Sequence, residues 1–323
     1  MKKRTLLSGK VVSLLFAICF ISMALVGCGQ KTENVETPTP AVTEEAKEDT
    51  FNVTLTDSTG ETITLTKKPE RIVSLAPTTT EILYFLGLED QIVGRTSYCN
   101  YPESILEVPE VGSTSEPNVE TIVDLNPDLV VSVIFIPDEV MNKLRELGIQ
   151  VAFFNDKENF EGTYAIIEKL GMLTGTEDKA AEVINGMKQK VANLEEAVKA
   201  LNLTQKPTVY YATGFGEGDY GAGGDTFIGE IITLAGGENI MKDISGWLIS
   251  KEQLAEGDPD IIIVPSGADM ATEMAKTDFY KDLRAVKEGR IYEIDGDSIS
   301  RQSPRVADAL VEMAQKIHPE LVK

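Results

Sequence analysis

Few side chains in this chain could do chemistry, and their types narrow what that chemistry is. There is one histidine, His318, close to the C-terminus. No imidazole is therefore at hand for a general base, or for a zinc or transition-metal centre that would ordinarily draw on His nitrogen. No G-x-S-x-G nucleophile elbow occurs. Gly216-Glu217-Gly218-Asp219-Tyr220-Gly221 satisfies G-x-G-x-x-G after a predicted strand. However, no helix opens at its third glycine, and Glu217 and Asp219 would repel a pyrophosphate, so it reads as a flexible loop. No catalytic residue and no metal ligand set is assigned. What remains is a group of aromatic and charged side chains in predicted loops. Arg95 and Tyr98 follow the strand 91–94, and Phe135 ends the strand 129–135. Phe215 and Tyr220 follow 208–212, Asp297 and Arg301 follow 290–294, and Trp247, the only tryptophan, lies in the loop before residue 250. In open α/β sheets ligands sit outside the carboxyl ends of the strands. Aromatic walls with a few polar contacts suit a large planar ligand.

The elements that must hold these loops alternate. A hairpin spans 51–65 around Asp57-Ser58-Thr59-Gly60, and a buried strand spans 71–75. Thr78-x-x-Glu81 has the capping-box pattern of a helix that Gly87 ends. Strands at 91–94, 129–135 and 150–154 are interleaved with a helix at 138–147. Later come a strand at 208–212, a helix at 226–234 stopped by Gly236-Gly237, and a strand at 290–294. The last helix opens at Ser303-Pro304, read as N-cap and N1. Such alternation implies a mostly parallel α/β sheet. Between the two sets lies one long helix, Glu177 to Leu201. Val183, Ile184, Met187, Val191, Leu194, Val198 and Leu201 form its apolar stripe, and Thr176 is its expected N-cap. At 1.5 Å per residue it runs about 37 Å, enough to reach from one small domain to another.

The sequence on one side of that helix echoes the other. Asn118-Val119-Glu120 precedes Pro127-Asp128 and the run Leu129-Val130-Val131. Ser250-Lys251-Glu252 precedes Pro259-Asp260 and the run Ile261-Ile262-Ile263. Each reads as a short capped helix, a turn and a buried strand, with a glutamate near the second helical position. Two lobes built alike are expected.

Length and composition agree. With 323 residues and 42 % hydrophobic content the chain suffices for two domains. Residues 1–28 read as an export signal. A basic start is followed by the apolar run Val11 to Val26, and Leu25-Val26-Gly27-Cys28 resembles a bacterial lipoprotein cleavage box that would acylate Cys28. Lys2, Lys3, Arg4 and Lys10 leave with it, so 26 of the 30 basic residues remain against 52 acidic ones, a net charge of -26. Such acidity excludes nucleic acid as a partner. Cys19 lies in the signal, so Cys99 has no disulfide partner. Residues 29–50, rich in Thr, Glu and Pro, read as a flexible tether. The expected division is then an N-terminal lobe at 51–170, an interdomain helix at 171–205 and a C-terminal lobe at 206–323.

Several segments together carry a family resemblance: Arg71-Ile72-Val73-Ser74-Leu75-Ala76-Pro77, Tyr98-Cys99-Asn100-Tyr101-Pro102, Gly236-Gly237-Glu238-Asn239-Ile240, Trp247 with Ser250-Lys251-Glu252-Gln253, and Ser303-Pro304-Arg305. From about Pro69 to Pro319 the chain resembles the substrate-binding proteins of ABC importers for vitamin B12 and iron complexes. The resemblance implies two Rossmann-like α/β lobes joined by one rigid helix, the helical-backbone class III periplasmic-binding-protein fold, with the ligand in the cleft between them. It implies that Tyr98, Trp247, Asp297 and Arg301 are cleft residues, and that Glu120 and Glu252 dock on arginines of the permease. Members that bind vitamin B12 carry aromatics where Thr114 and Val133 stand here. The expectation is a monomeric, lipid-anchored receptor on the extracytoplasmic face of the cell membrane. It has no resident cofactor and delivers a corrinoid to an ABC permease with its ATPase subunits. A ferric siderophore or haem is the alternative ligand, for which Arg95 and Arg301 would supply charge. A secreted enzyme on the same two-lobed fold is the reading of another class.

Overall fold

A computed structural model describes residues 51–322; the expected signal, Cys28 and the tether lie outside the described residues. The N-terminal lobe comprises β1 (Val53–Thr56), β2 (Thr62–Leu65), β3 (Ile72–Ser74), α1 (Pro77–Phe85), β4 (Ile92–Arg95), α2 (Val119–Asp124), β5 (Leu129–Ser132), α3 (Asp138–Glu146), β6 (Gln150–Phe153) and α4 (Phe160–Thr174). The long helix is α5 (Glu177–Ala200). The C-terminal lobe follows with β7 (Thr208–Gly214), β8 (Asp219–Gly221), α6 (Phe227–Leu234), β9 (Glu238–Asn239), β10 (Leu248–Ile249), α7 (Lys251–Gly257), β11 (Ile261–Pro265), α8 (Met270–Lys276), α9 (Arg284–Lys287), β12 (Ile291–Ile294), α10 (Gly296–Ser300) and α11 (Val306–Ile317).

Each lobe has its own sheet. The first is parallel throughout, in the order β4-β3-β5-β6. The second runs β10-β8-β7-β11-β12, with β7, β11 and β12 parallel and the β8–β10 ribbon antiparallel at the carboxyl end of β7. The central strands are apolar on both faces because helices cover both. Successive side chains divide between two cores. Ile72, Leu129, Val209 and Ile263 join one apolar core with Leu170 of α4 and Met187 and Leu194 of α5. Val73 and Val130 face a cluster under α2 and α3, and Ile262 and Val264 face another under α7, α8 and α9. The shared core reaches across the seam between lobes, where the rings of Phe160 and Phe227 meet edge-on at 5.3 Å. Opening the lobes would expose this apolar surface, which opposes large hinge motion.

The Pro-Asp echo acquires a structural reason. Asp128 accepts the amides of Glu70 and Arg71 at 3.0 and 3.2 Å, at the entry to β3. Asp260 accepts the amide and hydroxyl of Thr208 at 2.8 and 2.9 Å, at the entry to β7. In each lobe the aspartate that opens one strand satisfies the backbone at the amino end of its neighbour.

Three local expectations are corrected. The stripe and bounds of α5 agree with the sequence and Thr176 is its N-cap residue, but its hydroxyl meets that of Thr174 at 2.8 Å and makes no side-chain cap. Helix α1 starts at Pro77 with Ala76 as its N-cap and no side-chain cap, so Thr78 and Glu81 form no capping box. Helix α11 starts at Val306 with Arg305 as N-cap, not at Ser303-Pro304. The last two share a cause: Glu81 and Ser303 are drawn to each other across the lobes.

Candidate ligand-binding cleft

The seam between the lobes lies at the carboxyl ends of their strands, and it is ionic. Glu81 of α1 is fully buried. Its Oε1 accepts Arg301 Nη1 at 2.7 Å and Arg305 Nη1 at 3.0 Å, and its Oε2 accepts the Ser303 hydroxyl at 2.5 Å. A buried carboxylate needs such donors, since without them its desolvation would cost several kcal/mol. Arg301 Nη1 also donates to Asn100 Oδ1 at 2.8 Å, and its Nη2 pairs with Asp297 at 2.8 Å. Asn100 Nδ2 donates to the same Asp297 oxygen at 2.7 Å. Arg305 pairs with Asp295 and lies 4.2 Å from the centre of the Tyr101 ring. Asp297 and Arg301 are thus brought together with the loop that carries Tyr98. Sequence reasoning missed Glu81 and Asn100. The signal for Glu81 was its isolation, as the only charge in the nine residues of an otherwise apolar and hydroxylic helix.

Both lobes also carry exposed rings at their sheet ends. Tyr98 is 60 % exposed in the loop after β4, and Phe135 is 70 % exposed in the loop after β5, which ends at Ser132, three residues earlier than expected. Tyr220 is 47 % exposed on β8 and Trp247 is 41 % exposed just before β10. The ribbon places Tyr220 opposite the exposed Leu248, and the Gly221 amide donates to the Trp247 carbonyl at 2.7 Å. Large apolar side chains are thus left in water at the sheet ends of both lobes, the kind of surface from which a ligand site can be built. The G-x-G-x-x-G segment serves this ribbon. A Cβ on Gly221 would lie 2.3 Å from the Tyr210 ring and 2.7 Å from the Tyr211 carbonyl, so glycine permits β8 to close on β7. The following helix begins only at Phe227, which removes the dinucleotide-binding geometry.

Two candidates are placed elsewhere. Arg95 is buried within its own lobe, donating to the carbonyls of Thr96, Ile105 and Leu106 at 3.0, 3.0 and 3.3 Å. Its guanidinium is occupied in holding the loop that bears Tyr98. Phe215 is half-buried, its ring 5.1 Å from that of Tyr280 in the outer core of the C-terminal lobe. His318 is buried with Nε2 3.3 Å from the Gly236 carbonyl.

Glu120 and Glu252 are both exposed, each the second residue of its helix. Asn118 caps α2 by accepting the Thr121 amide, and Ser250 with Gln253 closes a full capping box on α7. A carboxylate in the first turn complements the helix dipole, and both side chains remain open to solvent.

A periplasmic binding protein family profile matches residues 72–298. The chain belongs to this family. The ABC transporter substrate-binding lipoprotein YvrC of Bacillus subtilis is 32 % identical to it over 311 residues, 95 % of this chain and 97 % of that one. The high-affinity haem uptake system protein IsdE of Staphylococcus aureus is 32 % identical over 236 residues, 68 % of this chain and 78 % of that one. The crystal structure of the periplasmic vitamin B12 binding protein BtuF of Vibrio cholerae superimposes with a TM-score of 0.66 at 25 % identity, covering 79 % of this chain and 99 % of that one. Periplasmic binding proteins of this kind are the solute-binding components of ABC transporters. A small-molecule ligand, a permease with its ATPase and an extracytoplasmic site come with membership. The family match takes in both sheets, α5 and the loops bearing the exposed rings, and it ends before Arg301, Ser303 and Arg305.

Proposed function

We propose that this periplasmic binding protein is a monomeric, lipid-anchored receptor that holds a corrinoid in the interlobe cleft and hands it to an ABC importer. One observation carries the choice of ligand. The rings of Tyr98, Phe135, Tyr220 and Trp247 stand exposed at the sheet ends of both lobes, while Arg301 and Arg305 at the seam are matched by carboxylates. Such a surface suits a large planar ligand with little negative charge. Thr114 is half-buried and Val133 buried, so neither adds to this exposed surface. The lipobox ending at Cys28 supports the anchor, and Glu120 and Glu252, equivalent in the two lobes, are the permease contacts. A haem or ferric chelate is the second reading, favoured by the exposed phenols of Tyr98 and Tyr220, since a phenolate oxygen is a known axial ligand for haem iron.

Titration of the purified protein with cobinamide, cyanocobalamin, haemin and ferric siderophores, followed by tryptophan fluorescence and visible absorption, tests this. Saturation by a corrinoid is expected, and Trp247→Ala weakens it by well over about tenfold if the indole stacks on the ring. Saturation by a ferric ligand alone transfers the protein to iron acquisition.

A further inference from the structure

The cation pair at the cleft floor has a partner that decides what it can bind. Alone, Arg301 and Arg305 would present two guanidinium forks to the seam, the geometry that receives carboxylate or phosphate in bidentate fashion. They are not alone. A single oxygen of Glu81 takes one nitrogen from each, at 2.7 and 3.0 Å. Asp297 and Asp295 take a second nitrogen of Arg301 and of Arg305 respectively. Two cations thus meet three carboxylates, and the formal charge of the floor is one negative. Asp295 and Asp297 are on the open side, their side chains 49 % and 44 % exposed, and could yield to a ligand. Glu81 cannot yield, because it is fully buried on α1 beside Ile82 and Leu83, which are locked in the apolar core.

We propose that Glu81 is the positioning residue that sets the charge class of the ligand. It acts through Arg301 and Arg305, excluding planar chelates with carboxylate side chains and admitting neutral or cationic ones whose amide N–H groups donate to Asp295 and Asp297. The proposal rests on the seam being the floor of the ligand cleft. An anionic ligand must compete with a carboxylate that has nowhere to go, while an amide-bearing ligand finds acceptors in the half-exposed carboxylates of Asp295 and Asp297.

The test compares haemin, which carries two propionates, with cobinamide, a corrinoid of amide side chains without them. Both are titrated into the purified wild type and Glu81→Gln. The ratio of haemin to cobinamide affinity is expected to rise at least about tenfold in the variant, because the arginine forks lose their resident anion. A merely structural role for Glu81 weakens both ligands together, and an unchanged or lower ratio overturns the proposal. Should Glu81→Gln fail to fold, Asp297→Asn frees Arg301 from the solvent side. It must shift the ratio in the same direction by a smaller factor, and no shift is again fatal. The wild type separates the two readings. If it prefers haemin to cobinamide the corrinoid assignment falls, yet a further gain for haemin in Glu81→Gln still assigns the role to Glu81, and no gain still refutes it.

Discussion

The two lobes place a glutamate at the same point and support it differently. In the N-terminal lobe, α2 has the single Asn118 cap. The segment leading into it is tied to the Tyr98 loop by backbone bonds, Val111 N to Arg95 O at 2.8 Å and Ser97 N to Gly112 O at 2.9 Å, and buried Arg95 draws in the carbonyls of Ile105 and Leu106. In the C-terminal lobe, α7 has a complete capping box, and the tie is made of side chains. Lys251 donates to Asp219 at 3.0 Å, to the Gly216 carbonyl at 2.7 Å and to the Tyr280 hydroxyl at 3.1 Å, and Tyr280 donates to Asp219. Asp219 directly precedes the exposed Tyr220, and Lys251 directly precedes Glu252. In the C-terminal lobe a cation therefore couples the β7–β8 loop to the start of the helix that bears the exposed glutamate, whereas in the N-terminal lobe backbone bonds make the corresponding tie and Arg95 only braces the loop. The position of the glutamate is common to the two halves; the means of holding it is not.

The largest effect tests whether the two glutamates are equivalent in use. Glu120→Arg and Glu252→Arg, made singly, are each expected to abolish ligand uptake by cells while ligand binding by the purified protein stays within about twofold of wild type. Both side chains are exposed and touch no cleft residue, so reversal disturbs only a partner's surface. Equal losses mean that the permease grips both lobes. Loss from one alone makes the echo a relic of construction rather than of docking, and uptake by the double reversal removes the docking assignment.

A smaller difference follows from the two cations. Arg95→Met removes three donors from buried or partly buried carbonyls, and leaving such acceptors unmatched costs about 3 kcal/mol in all. The Lys251 side chain is 40 % exposed, so water replaces part of what it loses, and Lys251→Met costs about 1 kcal/mol once solvent screening is allowed for. Urea unfolding of the two variants measures the difference. A Lys251 variant less stable than the Arg95 variant would reverse the ranking and make the C-terminal lobe the more fragile.

How much of this was legible depended on the range of the interaction. Periodicity located α5 to within a residue, because a stripe of Val183, Ile184, Met187, Val191 and Leu194 has one stable way to be buried. The alternation of lobes and the equivalent glutamates were legible for the same local reason. Loop membership also picked out Tyr98, Phe135 and Trp247, which are exposed at the sheet ends; Tyr220, expected in a loop, is exposed too but stands on strand β8. Apart from Thr176, whose hydroxyl is taken by nearby Thr174, the errors at helix starts came from contacts between residues far apart in the chain. Thr78-x-x-Glu81 and Ser303-Pro304 look like helix starts because each has a good local partner. The stronger partner lies more than two hundred residues away, where Arg301 and Ser303 reach Glu81. Arg95 was misread likewise: its loop position suggested an open cation, and only the fold of residues 103–110 over it reveals why it is buried.

The finest comparison is between Asp128 and Asp260, the aspartates of the repeated Pro-Asp pair. Burial pushes both carboxyls up, but hydrogen bonds outweigh it. For Asp128 these come from Lys67 and the amides of Glu70 and Arg71. For Asp260 they come from the amide and hydroxyl of Thr208, aided by the charges of Arg284 and Arg290. Both carboxyls therefore titrate below the ordinary aspartate range. A carboxyl whose folded pKa is depressed adds stability that is complete above its unfolded value, near pH 4, and is lost as pH falls through the folded value. Wild-type stability should therefore decline on acidification below about pH 4. Asp128→Asn and Asp260→Asn should each lower stability at pH 7 by about 1 kcal/mol and flatten that decline, since the amide accepts the same backbone donors without charge. Asp260 is expected to show the larger share: Arg284 pairs with it at 2.8 Å and Arg290 at 3.6 Å, whereas the lysine on Asp128 is mostly in solvent. Thermal unfolding of the two variants at pH 3 and pH 7 measures it. An equal loss from both would mean that the strand-entry hydrogen bonds, common to the lobes, dominate, and that the arginines peculiar to the second lobe add nothing.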